Sequence, residues 1–172
     1  ARAELQSARA DVADAARATY EDLELEVNTL AGEDVLEALQ DANRLDAAKN
    51  ILESMVARLS LATQADPANP VFKELYVRAL SRLARVYYTD QAPSLGDRNT
   101  ATQFRSLARE TLKAAMADHP DNGSLKVFDA ILALDAVDTL THSERRPLLE
   151  HAMEQVKLGE ELNSEQVNDQ RF

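Results

Sequence analysis

Apolar residues recur along this chain at spacings of three and four, the mark of amphipathic helices. In the first stretch Leu5, Val12, Ala16, Tyr20, Leu23, Val27 and Leu30 form one stripe, and Gly32 is the expected stop. A short helix from about Asp34 to Ala42 follows, with Val35, Leu36 and Leu39 as its apolar face. From about Leu45 a longer pattern carries Ala48, Ile51, Leu52, Met55, Leu59 and Ala62. It closes at Asp66-Pro67, because proline lacks an amide donor and restricts the residue before it.

Asn69-Pro70 restarts the pattern, since asparagine caps a helix well and proline suits its first turn. Phe72, Leu75, Tyr76, Ala79, Leu80, Leu83, Val86 and Tyr87 then supply enough apolar surface for contact on two sides. A loop from Thr89 to Arg98 holds Pro93 and Gly96, and Asn99 or Thr100 is the expected cap of the next helix. That helix is expected to bury Ala101, Phe104, Leu107, Ala108, Leu112 and Ala115 or Met116, and to stop at His119-Pro120. Asp121 to Ser124 form a turn with Ser124 as the cap. Leu125, Phe128, Ile131, Leu132, Leu134 and Val137 make the fifth long pattern.

A break from Thr141 to Ser143 leads into the last helix, with Leu148, Leu149, Ala152, Met153, Val156 and Leu158 apolar and Pro147 in its first turn. The residues from Asn163 to Phe172 carry no pattern and are expected to fray. The expected fold class is all-α: about six helices as three antiparallel helical hairpins, forming one domain over residues 1–162. Residues 1–18, rich in Ala and Arg, read as a linker or coiled-coil-like start to a chain entered partway along a helix.

Composition supports the helical reading and narrows the chemistry. Four Gly and five Pro among 172 residues disfavour sheet and disorder, and the absence of Trp leaves Leu, Ala, Val and Ile to build the core. With 19 basic and 30 acidic residues, the net charge of -11 argues against a nucleic-acid partner, which would need a basic face, and against docking on anionic lipid. No apolar run approaches the roughly 20 residues that span a bilayer. Without cysteine there is no disulfide, thiolate metal site or cysteine nucleophile.

No set of residues forms a recognisable catalytic constellation. His119, His142 and His151 lack the spacing of a zinc pair, and His119 beside Pro120 suits a helix C-terminus. The carboxylates Glu21, Asp22, Glu24 and Glu26, with Glu144, Glu150, Glu154, Glu160 and Glu161, lack the Glu-x-x-His pairs of a di-iron bundle and read as solvated faces. Ser94-Leu95-Gly96-Asp97 lacks the spacing of a phosphate loop and reads as a turn. No cofactor or metal is expected. Arg78, Arg82 and Arg85 share one helical face, and this strip is either a salt-bridged exposed stripe or a binding surface for an acidic peptide. Tyr88 follows Tyr87, which already occupies the apolar stripe, and is a candidate contact in a groove.

Leu83-Ala84 with Tyr87, then Ala101 and Ala108, then Pro120, match the apolar-small-aromatic, paired-small and closing-proline positions of a tetratricopeptide repeat (TPR). The chain therefore resembles a TPR-like right-handed helical repeat, although Pro67 to Pro120 is longer than the roughly 34-residue TPR unit. Arg105 stands where an aromatic is usual, and the loop after Tyr87 is extended. Over residues 10–120, Tyr20-Glu21-Asp22, Leu30-Ala31-Gly32, Asp66-Pro67, Tyr87, Pro93 to Asp97 and Ala101 to Ala108 follow one another in a fixed order. That order resembles the C-terminal extracytoplasmic region of bacterial eukaryotic-type serine/threonine protein kinases.

The resemblance implies a non-catalytic protein- or peptide-binding sensor module, located outside the cytoplasm as part of a membrane protein, with the first helix as a route to a homodimer. The kinase motifs themselves are absent. A cytoplasmic TPR scaffold fused to a transcriptional regulator is the second reading. A helical enzyme with an unrecognised site is the third.

Overall fold

A computed structural model describes residues 33–137 and 142–169, and among these every element is an α-helix. In chain order they are α1 (Glu33–Asp41), α2 (Leu45–Ala65), α3 (Pro70–Tyr87), α4 (Arg98–Asp118), α5 (Gly123–Val137) and α6 (His142–Asp169). The stripe from Leu5 to Leu30 and its Gly32 stop lie outside the described residues, as do the Tyr20-Glu21-Asp22 and Leu30-Ala31-Gly32 motifs.

Most boundaries follow from local chemistry. The α1–α2 reversal uses Asn43 in the left-handed region (φ 55), with the Asn43 and Arg44 amides donating to the Gln40 and Leu39 carbonyls. Asn69 caps α3, its side chain accepting from the Val71 amide at 3.1 Å, with Pro70 at the first helical position. The cap of α4 is Asp97, where the sequence suggested Asn99 or Thr100. Its carboxylate takes both the amide and the hydroxyl of Thr100. Likewise Asn122, not Ser124, accepts from the Leu125 amide at the start of α5. Helix α6 begins early enough to place Pro147 inside it and runs on to Asp169, past the point at which its apolar pattern ends.

Helix α3 lies at the centre because it is apolar on two sides. One side, with Phe72, Leu75, Ala79, Leu83 and Val86, packs on Ala48, Leu52, Met55 and Leu59 of α2. Its other side, with Val77 and Leu80, meets Ala108, Leu112 and Ala115 of α4 and Leu125 and Leu132 of α5. Burying each such leucine contributes about 1.5–3 kcal/mol, so these two seams carry most of the core. Helices α3 and α4 run antiparallel: Lys73 near the start of α3 meets Asp118 at the end of α4 at 2.6 Å, and the Tyr87 and Phe104 rings stack at 5.6 Å.

Helices α5 and α6 are also antiparallel, and they approach far more closely. A Cβ on Gly123 would stand 2.5 Å from the Gly159 carbonyl oxygen, and one on Gly159 would stand 2.7 Å from that of Gly123. Farther along, Ala130, Ala133 and Ala152 continue a seam of small residues. So narrow a seam has no room for large side chains. Ile131, Leu134, Leu149 and Met153 therefore stand exposed, although their pattern suggested burial. Leu107 on α4 is also exposed, at 39%, against expectation, because Ala101, Ala108, Leu112 and Ala115 already fill the α4 contact.

Candidate binding surfaces

The three arginines of α3 are each half-buried and each engaged. Arg78 pairs with Glu74 at 3.3 Å, and its guanidinium lies 4.9 Å from the centroid of the Phe128 ring. It therefore bridges α3 to α5, and its cation–π contact adds to the packing between those helices. Arg82 and Arg85 lie one and two turns farther along α3 and place positive charge on its partly open face. An i, i+4, i+7 spacing delivers all three to one side, as the sequence suggested.

Tyr88 is half-buried and sits at the mouth of the loop from Tyr88 to Asp97. Its hydroxyl donates to Asp90 and accepts from Arg98, whose guanidinium also lies 4.5 Å over the ring. The loop folds back on the end of α3, where the last carbonyls of any helix lack internal partners. The Leu95 amide donates to the Val86 carbonyl at 3.0 Å, and the Asp97 amide to that of Tyr87 at 2.9 Å. Arg105 then donates to the Tyr88 carbonyl at 2.7 Å. Gly96 takes a positive φ of 79° to turn the chain for this purpose, a conformation that favours glycine.

Arg105 and the long loop after Tyr87 thus act together. The longer loop supplies amides that cap α3, and Arg105 completes the cap from α4. The Leu95 and Asp97 amides of the Ser94–Asp97 stretch are thus committed to α3. Gln40, buried to 6% exposure, donates from Nε2 to the Pro93 carbonyl at 3.0 Å and fastens the loop to α1. No sequence pattern marks Gln40. Arg105 was visible only as an anomaly.

Beneath this loop the Tyr87 hydroxyl donates to Glu53 at 2.7 Å, and Lys49 lies 5.9 Å from the centroid of its ring. Burial, reinforced by the Glu53 carboxylate, pushes the phenol up to about 12. At the α4 cap, hydrogen bonds from Thr100 hold the Asp97 carboxyl below its usual range. The hydrogen bond from Lys73 does the same for Asp118.

His119 and His151 make separate contacts. His119 is half-buried at the end of α4, with its Nε2 enclosed and without a hydrogen-bond partner among the described residues. His151 meets Asp129 at 2.7 Å and ties α6 to α5. The side chains of His142 and Glu144 lie outside the described ones. Glu150 pairs with Arg146 and Glu161 with Lys157, each one turn apart on an exposed face of α6. Among the described residues no group of three or more potential ligands could hold a metal ion, and no helix is long and apolar enough to cross a membrane.

A groove of about 490 Å³ runs along α5 and α6, lined by Leu134, Leu149, Ala152, Met153, Val156, Lys157 and Glu160. It is almost wholly apolar, and it was not anticipated from the sequence. No family model, no curated protein and no solved structure matches this chain.

Proposed function

We propose that this chain is a non-catalytic protein- or peptide-binding module of the TPR-like kind, serving as the sensor region of a bacterial signalling protein. In this reading it is the extracytoplasmic region of a membrane-anchored Ser/Thr kinase. The packing order supports a helical repeat: α3 lies between α2 and α4 and also reaches α5 through Val77, Leu80 and Arg78. Each hairpin of a TPR-like array packs on its neighbours in this way, with small residues such as Ala79, Ala84, Ala101 and Ala108 at the crossings.

The observation that carries the binding role is the arginine face of α3 in a chain whose net charge is -11. A cationic strip on an otherwise acidic protein selects an acidic segment by complementarity and repels other acidic surfaces elsewhere. The kinase assignment rests on the motif order between Tyr20 and Ala108.

Two experiments test the proposal at its two levels. Panning a displayed peptide library against the purified chain is expected to enrich acidic sequences. Enrichment no better than that on an unrelated acidic helical protein would overturn the binding role. Reading the encoding gene is expected to show a kinase domain and an apolar helix of about 20 residues upstream. A helix-turn-helix domain there would instead favour a cytoplasmic scaffold.

A further inference from the structure

Helix α4 covers one side of the α2–α3 pair. Val56 of α2 packs into the cluster that holds Leu80 and Ala108, while Glu53 and Lys49 reach Tyr87, whose ring meets Phe104 of α4. At about 100° per residue, Arg58 lies roughly half a turn around α2 from these three residues, so it stands on the flank that faces away from α4. Arg78, Arg82 and Arg85 bear the same relation to Tyr76 and Leu80, which face α4 from α3. The exposed Arg58 and the α3 strip therefore border one open surface.

The register across that surface follows from Tyr87 and Glu53. Four residues join the end of α2 to the start of α3, and Tyr87 at the far end of α3 bonds to Glu53, so the two helices run antiparallel. Five residues on from Glu53 is Arg58, and five residues back from Tyr87 is Arg82. These two arginines thus lie level with each other on neighbouring helices, whose axes pack about 8–10 Å apart.

Charge is sorted between the two sides. Asp46 and Glu53, the carboxylates of α2, share the flank of Lys49, and Glu74, the carboxylate of α3, is paired with Arg78. The open side is consequently cationic across both helices in a chain of net charge -11. Arg58, Arg82 and Arg85 each have a contact within the protein, but the five N–H donors of a guanidinium can hold that contact and a ligand carboxylate together.

Taking the α3 strip as the seat of an acidic ligand, as above, we propose that the ligand crosses from α3 onto α2 as an extended segment, with one carboxylate at Arg82 and a second at Arg58. An extended chain advances about 3.3 Å per residue, so acidic residues three apart match the separation of the two helices. The site therefore selects a pair of acidic residues with two others between them.

Calorimetric titration with an acidic peptide selected by panning on the chain tests this. Arg58→Glu and Arg82→Glu should each weaken binding by about tenfold or more, whereas Arg109→Glu on the exposed surface of α4 should change it by less than about twofold. Circular dichroism checks that the variants fold, and Arg58→Ala should weaken binding in the same direction without reversing the charge. Lysine replacements along the peptide then locate the contacts. The replacement that restores binding to Arg58→Glu should fall three residues from the one that restores it to Arg82→Glu.

If Arg82→Glu weakens binding and Arg58→Glu does not, the crossing is overturned while the α3 strip stands. If neither substitution matters, or Arg109→Glu weakens binding as much, the strip itself fails and the crossing with it. Restoring positions that are adjacent in the peptide would also overturn the crossing.

Discussion

Tyr87 joins three elements through one side chain: its ring stacks on Phe104 of α4, and its hydroxyl donates to Glu53 of α2. Only the neutral phenol can donate, so the fold favours that form, and the folded-state pKa lies above the unfolded one. The stabilisation is therefore complete below about pH 10 and is lost as the pH rises through about 12. Tyr87→Phe keeps the ring and removes the hydrogen bond, and it should cost about 1 kcal/mol at neutral pH. In urea denaturation the gap between the two proteins should close across that alkaline window. A gap that stays constant to the end of the window would mean that the hydroxyl contributes nothing.

Asp97 carries the opposite sign. Its carboxyl is held low by Thr100, so its stabilising effect is present above the ordinary carboxylate pKa and fades as the pH falls through the lowered value. Asp97→Ala should destabilise the protein at neutral pH and converge on the wild type in acid. Thermal unfolding over a pH series measures this directly.

At the scale of elements, the contrast between the α3–α4 and α5–α6 contacts explains where the molecule is filled and where it is open. Leucines fill the first contact, while glycine and alanine make the second too narrow for anything larger. Gly159→Ala would bring a Cβ to 2.7 Å from the Gly123 carbonyl oxygen and 2.8 Å from a methyl of Val127. Overpacking of this kind costs about 1–3 kcal/mol, against a gain of about 1 kcal/mol from helix propensity. A net loss of stability is expected in chemical denaturation, and an unchanged or raised midpoint would refute the close crossing.

The same contrast marks the limit of sequence reading. Helices α2 and α3 were legible because large apolar residues at helical spacing lie between clear Asp-Pro and Asn-Pro boundaries. The outward face of α5 and α6 was not. Periodicity shows that residues share a face, but not how closely the facing helix comes. Gly123 falls in a turn sequence, and no local pattern marks Gly159 as a contact. Arg78, Arg82 and Arg85 were legible as a strip, whereas the contact of Arg78 with Phe128 depends on two helices 50 residues apart in sequence and no local pattern encodes it. The loop gave up its glycine and proline, but not its task of capping α3, which depends on Arg105 and Gln40 from other helices.

At the scale of the whole molecule, a net charge of -11 surrounds a cationic strip on the central helix. Arg78 is tied into the α3–α5 contact, so substitution of Arg82 and Arg85 tests the proposed binding strip without removing that contact. An attraction of this kind is screened by salt, and its strength should fall steadily as ionic strength rises.

The binding role turns most directly on calorimetric titration of a library-selected acidic peptide into the wild type and the Arg82→Glu/Arg85→Glu variant. The account predicts saturable, salt-sensitive binding to the wild type and a loss of about tenfold or more in the variant, whose helicity is unchanged. Equal affinity for the two proteins, or binding indifferent to salt, would contradict it.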